Sequence, residues 1–95
     1  MLQEQQNPVL YSERIDKECI IEIPNSGKTV SIHFGVEQGD LQVYFDSTSN
    51  QPPLKLYPNA RWNQRVNPSM IRSIHLKPCK SKNFVVWITM EKIGG

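Results

Sequence analysis

The chain has 95 residues, two cysteines and a formal net charge of +2, a length that supports one small hydrophobic core and excludes two domains. Leu, Ile, Val and Phe supply 25 of the residues, about a quarter, which lies above the level of disordered chains. The longest unbroken apolar run is the five residues 84–88, against the roughly 20 that a membrane helix requires.

The start, Met1-Leu2-Gln3-Glu4-Gln5-Gln6, has neither the basic nor the apolar region of a secretory signal. A cytoplasmic protein with no membrane partner is therefore expected. Residues 1–8 read as a flexible tail and residues 9–95 as a single β domain. One alanine, Ala60, stands against nine Ile and seven Val, and β-branched residues favour strands as Ala favours helices. Seven prolines and seven asparagines supply turns.

In chain order, residues 9–15 alternate weakly as a strand and residues 19–23 more firmly. The cluster Pro24-Asn25-Ser26-Gly27 marks a turn before residues 29–34, where Val30, Ile32 and Phe34 alternate with Thr29, Ser31 and His33. A second turn at Gly39 leads to Leu41, Val43 and Phe45, alternating with Gln42, Tyr44 and Asp46. The spacing predicts a three-strand meander over about residues 18–46. Residues 47–53 read as an exposed loop, since Pro52-Pro53 cannot feed a central ladder. Residues 54–57 suit a short strand and residues 58–65 a single helical turn or an irregular connector ahead of Asn67-Pro68. Residues 70–77 and 83–90 alternate on either side of a polar turn and are expected to pair as the last hairpin.

These elements predict an all-β domain of about five to seven short strands, either a small antiparallel sandwich or an open Greek-key barrel of the OB type. Alternation points Val30, Ile32, Phe34, Leu41, Val43, Phe45, Ile74, Leu76, Phe84, Val86 and Ile88 inward.

Chemical signatures are few. Gly27-Lys28-Thr29 imitates the end of a phosphate-binding loop, but the first glycine of that motif would fall on Glu22 and strand periodicity follows. Cys19, His33, His75 and Cys79 lack metal-ligand spacing and read as two free thiols and two solvated histidines. Asp40 and Asp46 flank one strand without a further catalytic signature, so neither enzyme activity nor a cofactor is expected.

The strongest signal is charge. Residues 1–53 carry three basic and eight acidic side chains, a balance of −5, whereas residues 54–95 carry eight basic side chains and one acidic, a balance of +7. Within the basic half, Lys55, Tyr57, Arg61, Trp62 and Arg65 interleave cations with aromatics, and Arg72, Lys77, Lys80 and Lys82 extend the series. Such interleaving suits single-stranded nucleic acid, through phosphate pairing and base stacking. A non-enzymatic polyanion-binding module is the leading expectation. A protein-interaction module with a protein partner, or a homo-oligomer joining the −5 and +7 surfaces, is the alternative. A carbohydrate-binding sandwich is third, resting on Trp62, Trp87 and the many Asn and Gln residues.

Overall fold

The structure is a computed structural model that describes residues 8–25, 27–46 and 52–93. The expected tail therefore lies outside the described residues but for Pro8, as do residues 47–51 of the expected loop.

Eight strands form: β1 (Val9–Ile15), β2 (Cys19–Glu22), β3 (Val30–Gln38), β4 (Leu41–Phe45), β5 (Leu54–Leu56), β6 (Arg61–Val66), β7 (Ser73–Pro78) and β8 (Val85–Lys92). They build two antiparallel four-stranded sheets, sheet A in the order β1-β8-β3-β6 and sheet B in the order β2-β7-β4-β5. Of the consecutive strands only β4 and β5 share a sheet; every other step crosses to the opposite layer. This is the double Greek key, or jelly-roll, arrangement of a β-sandwich. Of the two architectures the sequence allows, the sandwich forms and the OB-type barrel does not.

The core lies between the sheets. Val30, Ile32, Phe34 and Val36 of β3 and Val86, Ile88 and Met90 of β8 face Leu41 and Val43 of β4 and Ile74 and Leu76 of β7, all buried. Phe45 is only half-buried, packing edge-on against Phe34 with ring centroids 6.4 Å apart. The other ten residues expected to point inward are all buried.

The expected strand pairings are corrected. The meander over residues 18–46 does not form, because β2 pairs with β7, β3 with β8 and β6, and β4 with β5 and β7. The last hairpin is likewise absent, with β7 and β8 in different sheets. Turn chemistry fixes where the chain reverses, but not whether the next strand lies beside the previous one or across the core from it. At the β3–β4 corner the register slips between Val36 and Gln38, and Gly39 takes a φ of 68°, so the chain turns from one layer into the other.

That corner is locked to the turn between β7 and β8. The Asp40 carboxylate accepts the Ser81 hydroxyl and backbone N–H, both at 2.7 Å, and the Lys80 N–H at 3.1 Å. These bonds, led by the Ser81 hydroxyl, hold the Asp40 carboxyl below the usual carboxylate range. A Cβ at Gly39 would fall 2.1 Å from the Asn83 carbonyl oxygen, so the two turns touch where only glycine fits.

The irregular connector expected over residues 58–65 is also corrected, since most of it is β6. Val66 is the one fully buried residue of this edge strand, so alternating hydrophobicity does not announce it. Its ladder with β3, from Val30↔Val66 to Gly35↔Arg61, carries it instead.

Candidate saccharide-binding groove on sheet A

In an antiparallel sheet, directly paired residues present their side chains on the same face. The outer face of sheet A is therefore read as rows across its strands. One row runs Arg14, Trp87, Gly35, Arg61, and the next Ser12, Thr89, His33, Asn63. A third contains Glu91, Ser31 and Arg65.

Gly35 is the break in this surface. It sits inside β3, and a Cβ built on it would meet nothing within 4 Å. Trp87 and Arg61 stand on either side, two strand spacings or about 10 Å apart at their Cα atoms. The result is a groove of about 380 Å³ that includes His33, Asn63 and Thr89 in its lining. It continues into a space of about 510 Å³ bounded by Glu37, Asn59 and Ala60, and Gly35, Arg61 and Trp87 line both. The second space exists because the turn after β5 is tied to β3, with Asn59 N–H donating to the Val36 carbonyl at 3.0 Å and Val36 N–H to the Ala60 carbonyl at 2.9 Å.

The side chains of the groove are held in place. The indole N–H of Trp87 donates to Glu37 Oε1, and Arg14 Nε lies 3.5 Å from Glu37 Oε2. Trp87 remains 46% exposed, so its ring is oriented but uncovered. His33 Nε2 lies 2.6 Å from Glu91 Oε1, and the Ser31 hydroxyl donates to Asn63 Oδ1. The side chains of Arg61 and Arg65 make no hydrogen bond or ion pair to other described residues.

The nine residues of the basic and aromatic series are divided by the fold. Arg61 and Arg65 share the outer face of sheet A. Trp62 pairs with the buried Phe34 at the open edge of β6, 44% exposed, its indole N–H on Gln64 Oε1 at 3.2 Å, and it lines the groove beside Arg61. Lys55 and Lys77 flank Gln42 on the outer face of sheet B. Tyr57 is exposed in the turn after β5, and Lys80 and Lys82 stand in the turn between β7 and β8. Arg72 lines a separate groove at the end of β2, with Ile20, Glu22 and Pro24.

The remaining signals resolve into ordinary structure. Lys28 and Thr29 lead directly into β3, and the Thr29 carbonyl accepts the Ile93 N–H at 2.8 Å. Among the described residues no three His, Cys, Asp or Glu side chains converge on a metal position. Cys19 and Cys79 are free and half-buried. Burial pushes the Cys19 thiol up, only partly opposed by Lys17, so it is held as the poorly nucleophilic thiol. Asp40 and Asp46 lie at opposite ends of β4, about 20 Å apart along the strand, too far to act on one bond.

Sequence reasoning passed over Gly35, His33, Asn63 and Thr89 as groove residues, and weighed Trp87 only for a sugar site. The signals were present: a glycine inside an alternating strand marks close approach of something else, and Trp87 occupies a polar-face position between Val86 and Ile88.

Comparison of the chain with protein-family models, with curated proteins and with solved structures finds no match. No function reaches this chain by similarity.

Proposed function

We propose that this protein is a non-enzymatic carbohydrate-binding module whose ligand lies in the groove on the outer face of sheet A. The observation that carries the reading is the row Trp87, Gly35, Arg61: an oriented, exposed indole on one side of a bare strand, with hydrogen-bonding side chains on the other. A sugar ring has an apolar face for the indole and hydroxyls around its rim for Asn63, Thr89, His33 and Arg61. A small number of placed polar groups beside an aromatic wall is the usual composition of a small-ligand site.

A single-stranded nucleic acid fits less well. Its phosphates require a continuous cationic track, whereas the cations are divided between two faces and the turns, and Glu37 and Glu91 stand among the arginines of sheet A. Titration of the protein with soluble oligosaccharides and with a single-stranded oligonucleotide, followed by tryptophan fluorescence, tests the reading. Saturable binding of an oligosaccharide with a change in indole emission is expected. Binding of the oligonucleotide alone would restore the polyanion reading in its place.

A further inference from the structure

We infer that the saccharide taken by this groove is an acidic one, a sugar bearing a ring carboxylate that pairs with Arg61 while the face of the ring, or of its neighbour, lies on Trp87. The assignment rests on the saccharide reading of the groove and adds the charge of the ligand. It comes from accounting for every charge on the outer face of sheet A. Glu37 is engaged twice, by the Trp87 indole N–H and by Arg14 at 3.5 Å. Glu91 is engaged by His33 at 2.6 Å. Arg61 lines both parts of the groove with no partner among the described residues.

An arginine left unpaired beside a bare strand is a ready anion receptor. Its planar guanidinium presents two parallel N–H groups that match the two oxygens of a carboxylate, a geometry that an ammonium cannot reproduce. Gly35 leaves the approach to that fork open from the Trp87 side, because it has no side chain to intervene. Arg65, also unpaired, lies four residues along the same face, about 13 Å away. It offers a second cation further along an extended acidic chain, with Asn63 between the two.

The test is titration calorimetry of the whole protein with a hexamer of galacturonate and with a hexamer of glucose, at low and at high salt. Wild type is expected to bind the uronate about five-fold or more tightly than the neutral hexamer, with salt eroding only the uronate affinity. Arg61→Gln is expected to remove most of that preference, weakening the uronate several-fold more than the neutral hexamer, while keeping the melting temperature. Arg61→Lys should recover only part of it, since charge returns without the fork.

Equal affinity for the two hexamers in wild type would overturn the acidic assignment and leave the saccharide reading standing. A sulfated oligosaccharide bound more tightly than the uronate, with dependence on Arg61, would overturn the carboxylate. Failure to bind any of the three would overturn the saccharide reading itself, and the acidic assignment with it.

Discussion

The two outer faces of the sandwich are made from similar ingredients and reach opposite states. Sheet B carries Tyr44, His75 and Lys77, with Glu18 just ahead of β2; sheet A carries Trp87, His33, Arg61, Glu37 and Glu91. On sheet B the parts consume one another: Lys77 Nζ lies 5.5 Å from the centre of the Tyr44 ring, His75 tilts against that ring at 6.2 Å, His75 Nε2 is 3.1 Å from Glu18, and the Tyr44 hydroxyl reaches Gln42 at 3.3 Å. On sheet A, Gly35 holds the aromatic and the cation apart, so Trp87 keeps an open face and Arg61 an open fork. An aromatic and a cation in adjacent strands cover each other; separated by a glycine strand, they leave an open groove. Composition alone does not distinguish the two, because the deciding feature is which strand stands between them.

Both faces depend on one frame, the corner where the β3–β4 turn meets the turn between β7 and β8. Gly39→Val places a side chain against the Asn83 carbonyl and forces a β-branched residue to a φ of 68°. A loss of more than about 3 kcal/mol is expected in denaturant melts, a large share of the stability of so small a domain. Full stability in this variant would mean that the two turns do not meet as described.

The next largest effect separates the faces. Trp87→Ala is expected to weaken saccharide binding by about 2 kcal/mol, roughly thirty-fold, as truncation of an aromatic anchor does. Tyr44→Ala should leave binding unchanged, its ring being already occupied by Lys77. Equal losses in the two variants would erase the distinction between the sheets.

Gly35→Ala sharpens it. The added methyl meets no atom within 4 Å, and the position has no positive φ, so stability should rise by about 0.4 to 1 kcal/mol through the unfolded chain. Binding should fall, because the methyl enters the groove. A variant that gains stability and keeps full affinity would show that the ligand does not approach Gly35.

The smallest effect concerns pH. The carboxyl of Asp40 is held below its ordinary value by bonds to Ser81 and Lys80, so its stabilising contribution is present above the unfolded carboxyl range near pH 4 and is lost as the pH falls through the lower folded value. The difference in melting temperature between wild type and Asp40→Asn should therefore shrink in acid. A difference that stays constant down to pH 2 would place the lock elsewhere.

The sequence reveals the strands better than it reveals their neighbours. Alternation through Val30, Ile32 and Phe34, and again through Ile74 and Leu76, marks the inner face directly, because a half-buried strand must repeat every two residues. The same signal does not tell whether Leu41 sits beside Phe34 or across the core from it, and so the hairpins expected from turn residues fail while the strands survive. β6 escapes because an edge strand with one fully buried side chain needs only its backbone to pair.

The groove was half legible. Arg61 and Trp62 drew notice through the basic and aromatic series, but they and Gly35 are brought beside Trp87 only by β3 lying between β8 and β6, a juxtaposition of segments about 25 residues apart or more that no local pattern encodes.

Whether ligand recognition belongs to the outer face of sheet A is read by mapping amide and indole chemical shifts of the ¹⁵N-labelled protein during titration with the galacturonate hexamer. Shifts are expected at Gly35, Asn63, Thr89 and the Trp87 indole N–H, with Tyr44, His75 and Lys77 unmoved as an internal control. Shifts confined to Tyr44, His75 and Lys77, or no shifts at saturating hexamer, would contradict it.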